Sequence, residues 1–143
     1  QPGYVFVGWA GAINSTSNPI SVTITGDQVI VANFIASYSL NVAFAGGLGR
    51  VTDNLSTLDC PGNCTHDYFR GTNITLTAIP QTGYVFKGWS GITGGELEID
   101  VHNPISFSIM ADKNITANFA PEYTLNVSVS GIGNVTSNPL GIN

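Results

Sequence analysis

The chain has 143 residues, of which 43% are hydrophobic and only 9% charged, and four basic against nine acidic residues give a formal net charge of −5. An ordinary domain is ~25% charged, so the polar surface here must be built from neutral Ser, Thr, Asn and Gly. Four isolated cations, Arg50, Arg70, Lys87 and Lys113, cannot make the basic patch a phosphate backbone requires, so nucleic acid is not expected as a partner.

Taken along the chain, period-two alternation dominates. Gly3-Tyr4-Val5-Phe6-Val7-Gly8-Trp9-Ala10-Gly11 opens it, and Ile20-Ser21-Val22-Thr23-Ile24-Thr25 alternates strictly, which predicts a strand with one apolar and one hydroxyl face. Gly26-Asp27 turns the chain into a further strand over Val29 to Phe34, and Tyr38-Ser39-Leu40-Asn41-Val42 begins another that ends at the turn Gly46-Gly47. The segment Thr65 to Arg70 is the one place where a short helical turn is expected. Ile74-Thr75-Leu76-Thr77-Ala78, Ile105-Ser106-Phe107-Ser108-Ile109 and Leu125-Asn126-Val127-Ser128-Val129 alternate again, with turns at Ala111-Asp112 and Gly131-Ile132-Gly133. No dozen residues carry a 3.6-residue stripe, so the expected fold is all-β.

Three blocks occur twice. Gly3 to Gly11 returns as Gly83 to Gly91 after 80 residues, while Asn18-Pro19-Ile20-Ser21 through Phe34 returns as Asn103-Pro104-Ile105-Ser106 through Phe119, and Tyr38 to Val42 as Tyr123 to Val127, both after 85. The difference is a five-residue lengthening between Trp89 and Asn103. Such a period marks a modular array. Residues 1–37 read as the back half of a unit, 38–119 as one complete unit, and 120–143 as the front half of the next.

Half a sheet lacks its pairing partners and its opposing layer, so each end is expected to need more polypeptide. It would come from a longer tandem chain, from the next molecule head to tail, or from the chain's own other end. The strands concerned carry Val29, Val31 and Phe34 at one end and Leu125, Val127 and Val129 at the other. The start at Gln1, without Met or signal, is expected to reflect a processed, excised or partial chain. No apolar run approaches the ~18 residues of a membrane span, and no membrane insertion is expected.

Cys60 and Cys64 flank Pro61-Gly62, a turn signal that brings the thiols together, and are read as a local disulfide. The rival reading, half of a zinc site, has only His66 nearby where four ligands are wanted. Asn-x-Ser/Thr occurs seven times, at Asn14, Asn54, Asn63, Asn73, Asn114, Asn126 and Asn134. Chance pairing of the Asn residues with the Ser and Thr present gives about 2.5. The excess fits a glycosylated extracellular protein, although Thr at alternate strand positions raises the number without any glycan.

Trp9 and Trp89 hold equivalent places and are read as core anchors, the rival being an exposed indole stacked on a sugar. Glu96, Glu98, Asp100 and His102 share one face of an alternating segment. Three carboxylates there, Glu96, Glu98 and Asp100, are a weak candidate for Ca²⁺; the favoured reading is a charged strand edge that resists unwanted pairing, since a flat row supplies ligands from one direction only. No metal or other cofactor is expected. His66 and His102 lie in unrelated segments, neither a Gly-x-Ser-x-Gly elbow nor a phosphate-cradling loop is present, and the expectation is a protein that is not an enzyme.

Taken together, Tyr-x-Leu-x-Val, the Gly-rich turn, Cys-x3-Cys, Ile74 to Pro80, Gly83-Tyr84-x-Phe86-x-Gly88-Trp89-Ser90-Gly91 and Asp112-Lys113-x-Ile115-Thr116-Ala117-Asn118-Phe119 resemble the divergent internalin-B-type repeat family, over all 143 residues. The resemblance implies small β-sandwich or β-grasp-like modules in tandem, in secreted or surface-anchored proteins, serving as stalk, adhesin or coat. It brings no catalytic residues. The expected function is an extracellular or cell-surface structural subunit of a filament, sheath or stalk whose partner is itself; the alternatives are a carbohydrate-binding or adhesive module with glycan partners and an accessory domain of an enzyme.

Overall fold

The structure is a computed structural model that describes residues 3–92 and 99–137. Nine strands follow one another: β1 (Tyr4–Gly11), β2 (Ile30–Ala45), β3 (Gly49–Asp53), β4 (Asp59–Cys60), β5 (Thr65–Phe69), β6 (Asn73–Pro80), β7 (Tyr84–Ser90), β8 (Ile105–Ser108) and β9 (Lys113–Pro121). The all-β expectation holds: among the described residues there is no helix.

Two sheets face each other. One runs β1-β2-β9-β7 with β5 added on β2, and the other runs β4-β3-β6-β8. All pairings are antiparallel except β2 with β9, which run side by side from Leu40↔Lys113 to Ala45↔Asn118. Alternation decides what lies between the layers. Leu40, Val42, Ile115, Ala117, Phe119, Tyr68 and Trp89 come from the first sheet, and Val51, Cys60, Ile74, Leu76, Ala78 and Ile105 from the second. Their hydroxyl and amide neighbours, such as Asn41, Asn114 and Thr65, form a ladder on the outer face, Asn41 Nδ2 donating to Asn114 Oδ1 at 3.1 Å and Thr65 Oγ1 to Asn41 Oδ1 at 2.7 Å.

Thr65 to Arg70 is not a helical turn. Residues Thr65–Phe69 are strand β5, because Ser37–Asn41 of β2 offers them a ladder and alternation buries Tyr68. Ile20 to Thr25 forms no strand either. Its counterpart β8 pairs with β6 from Asn73↔Ser108 to Leu76↔Ile105, and Asn103 is bonded through both side-chain amide atoms to Ala78. Among the described residues no strand plays β6 for the first copy, and an unpaired strand is not stable alone.

Candidate functional site

The site singled out by the sequence is the pair of half-units, and the first of them is built like its complete counterpart. Hairpin β1–β2 pairs Tyr4 with Ala36 and hairpin β7–β9 pairs Tyr84 with Pro121, and both carry the same bulge, between Phe6 and Gly8 in one and Phe86 and Gly88 in the other. The main chain of Trp9 exchanges hydrogen bonds with Ser15, and that of Trp89 with Asp100. Gly11 and Gly91 both have positive φ, 99° and 85°, and a Cβ on either would lie 2.4 or 2.3 Å from a carbonyl oxygen. Only glycine closes that corner.

What differs is the covering. Ile30, Ala32 and Phe34 of β2 stand where Ile115, Ala117 and Phe119 stand in β9. Phe119 is 3% exposed and Phe34 57%. Ser37 N–H donates to Gly3 O, and Arg70 N–H to Ala36 O, so odd residues of β2 aim their backbone groups at β1 and even ones at the opposite edge. Beyond Ala36 that opposite edge is taken by β5. Over Ile30 to Ile35 it pairs with no strand among the described residues. Val31 is half exposed, and Val29, just before the strand, gives its carbonyl to Ala12 N–H.

At the other end Glu122 N–H donates to Gly83 O at 2.8 Å, the counterpart of Ser37 to Gly3 at 2.9 Å. From there the two copies diverge. Tyr38 to Val42 is held by β5 and β9, whereas Leu125, Val127 and Val129 lie in no strand, and Leu125 is 74% exposed. The expected strand over Leu125 to Val129 is therefore absent in this chain. Gly131 still takes the positive φ of Gly46, 97° against 74°.

Cys60 and Cys64 are disulfide-bonded, with Cα atoms 4.5 Å apart, and Cys60 is buried against Val42. Trp89 is wholly buried, with its indole N–H donating to His102 O. Glu96 and Glu98 lie outside the described residues. Asp100 gives Oδ1 to the backbone N–H and then the ring nitrogen of His102, which hold its carboxyl below the ordinary range. Asn14, Asn54, Asn63, Asn73, Asn114, Asn126 and Asn134 are all exposed; Asn63 spends its amide nitrogen on Thr57 O and Asn54 its oxygen on Thr75 N–H.

One buried group escaped the reading of the sequence. Asp53 accepts from the Thr57 hydroxyl (2.7 Å) and N–H (2.9 Å), the Leu58 N–H (3.0 Å) and the Tyr68 hydroxyl (3.0 Å). Burial pushes its carboxyl up, but these donors outweigh it and hold the group below its ordinary value. Burial above all, with the Asp53 charge added, pushes the Tyr68 hydroxyl up to about 12. The signal was its parity with Val51: alternation aims Asp53 inward, and Thr57 four residues on supplies the donors.

A family model described as a divergent InlB B-repeat domain matches residues 1–37 and 39–122. No curated protein and no solved structure gives a significant match.

Proposed function

The chain belongs to the divergent InlB B-repeat family, and from that membership we propose that it is an extracellular structural subunit, built from tandem β repeats and joined into a surface filament, sheath or stalk by completion of its half-repeats. The family occurs in secreted or surface proteins, which supports the location. The observation that carries the proposal is the match between hairpin β1–β2 and hairpin β7–β9, the former with its second edge unpaired, together with the unpaired segment Leu125 to Val129, which repeats the sequence that fills that edge in the complete unit.

The complete unit supplies the register. Val42 lies beside Ile115 and Phe44 beside Ala117, so Val127 of one molecule would lie beside Ile30 of the next, and Val129 beside Ala32. Burying Leu125, Val127, Phe34 and their neighbours stabilises by about 1.5–3 kcal/mol for each large side chain, against about 1–2 kcal/mol for each residue ordered. The balance favours pairing when the apolar faces close over one another. Electron microscopy of the purified chain tests this: filaments or sheets that grow with concentration are expected, and dispersed particles at all concentrations would refute it.

A second reading, a carbohydrate-binding or adhesive module, is favoured by one observation. A groove beside Trp9 is lined by Gly8, Asn14, Thr16 and Asn33. In the complete unit the place of Asn14 is taken by Ile99, whose Cγ2 lies 2.3 Å from where a Cβ on Gly88 would be. A glycan array with the intact chain tests it, and a Trp9-dependent sugar signal would support it.

A further inference from the structure

We infer that the complete repeat is a load-bearing clamp, in which tension between its two ends is resisted as shear along the β2–β9 ladder. The inference rests on the surface-repeat reading, since only a tethered tandem chain carries tension. The chain enters the unit on β2 near Tyr38 and leaves it on β9 at Pro121, and these two strands are paired directly and in parallel from Leu40↔Lys113 to Ala45↔Asn118.

Parallel pairing decides how a pull is shared. The first residue of one strand and the last of the other sit at opposite ends of the ladder, so opposed forces act along it and load its bonds together. An antiparallel hairpin pulled at its open end gives up one bond at a time. Side chains add to the resistance. Leu40 and Val42 on one strand and Ile115, Ala117 and Phe119 on the other are buried against the second sheet, so sliding must strip all of them. Across the ladder, Asp112 Oδ1 accepts from Ser39 N–H at 2.9 Å and Asn114 Oδ1 from Asn41 Nδ2 at 3.1 Å. Lys113 Nζ donates to Ile92 O at 2.7 Å, tying β9 to the segment after β7.

The load also reaches the ladder on its axis. β2 is one strand of 16 residues shared between the N-terminal hairpin and the complete unit, about 53 Å of extended chain without a hinge. Hairpin β1–β2, by contrast, has no parallel partner along Ile30 to Ile35 among the described residues, and Tyr4 and Ala36 stand at its open end. It unzips until a segment equivalent to Tyr38–Ala45 is laid beside it.

Single-molecule force spectroscopy on the full, disulfide-intact chain tests the clamp in two tether geometries. Held by its termini, the chain should first release about 110 Å of contour at low force as hairpin β1–β2, from Tyr4 to Ala36, opens. It should then rupture once at a force at least threefold higher. Held by the C-terminus and by a handle at exposed Gln81, which precedes the Tyr84↔Pro121 end of the β7–β9 hairpin, it should peel at the lower force. Equal rupture forces in the two geometries, or a lower one between the termini, would overturn the clamp. The measurement uses single unassembled chains, so a failure to form filaments leaves it intact, and filaments made of repeats without the force difference would refute the clamp alone.

Discussion

Trp9 and Trp89 keep the same hydrogen bond in unequal surroundings. The indole of Trp9 donates to Ser17 O at 2.9 Å and that of Trp89 to His102 O at 3.0 Å, each beside a tilted phenylalanine, Phe6 at 5.2 Å and Phe86 at 5.1 Å between ring centres. Only Trp89 is fully buried. Trp89→Ala should therefore cost about 3–5 kcal/mol of the cooperative melt of the complete repeat, and Trp9→Ala less than about 1 kcal/mol in dispersed chains. Equal losses in urea titrations would mean that Trp9 already sits in a closed core.

The edge makes a separate prediction. The N–H of Ala32 points away from β1, since Trp9 and Ala32 are register partners whose backbone groups face elsewhere. Ala32→Pro removes a donor that the isolated chain does not use, and should abolish assembly seen by sedimentation while moving the melt of the complete repeat by less than about 1 kcal/mol. Assembly that survives the substitution would count against pairing along β2.

Asp53 and Tyr68 make stability depend on pH in opposite senses. Asp53 has a folded value below the unfolded one of about 3.9, so its contribution is present above that pH and is lost as pH falls through the folded value. The Tyr68 hydroxyl, raised to about 12, works in the opposite sense: its contribution is intact below the unfolded value of about 10 and is lost as pH rises from there through about 12. Tyr68→Phe should flatten the alkaline limb of a stability–pH curve, and Asp53→Asn the acid limb, the latter at a cost of about 1–3 kcal/mol at neutral pH.

Reducing the Cys60–Cys64 bond opens a ring of five residues. The loop-entropy account assigns about 2 kcal/mol to so small a ring. Denaturant melts with and without reductant should differ by that amount, with filament formation unchanged, because the ring lies in the complete unit and not in either half.

Much of this was legible in the sequence because the chain states its plan twice: the hairpin, its bulge and the tryptophan anchor recur at fixed spacing. The buried faces of β2, β6 and β9 follow from alternation alone. Strand β5 was not legible, since Thr65-His66-Asp67-Tyr68-Phe69 has little strand pattern and becomes a strand through its ladder with Ser37–Asn41. Ile20 to Thr25 and Leu125 to Val129 failed in the other direction, with good alternation and no strand among the described residues to pair with. A strand is a property of two segments, and single-sequence periodicity sees one. Asp53 was missed because a carboxylate reads as surface until the donors that surround it are known.

The unbroken course of β2 has a bearing on how such arrays tolerate change. A strand turns its side chains over at every residue, so one residue inserted at the junction would rotate the whole following module by half a turn. The interval from Phe34 to Tyr38 is the same as that from Phe119 to Tyr123, whereas the stretch between Trp89 and Asn103 has grown by five residues. Length varies between the bridge partners Trp89 and Asp100 and is held at the junction where parity would be broken, so each added repeat inherits the orientation of the one before.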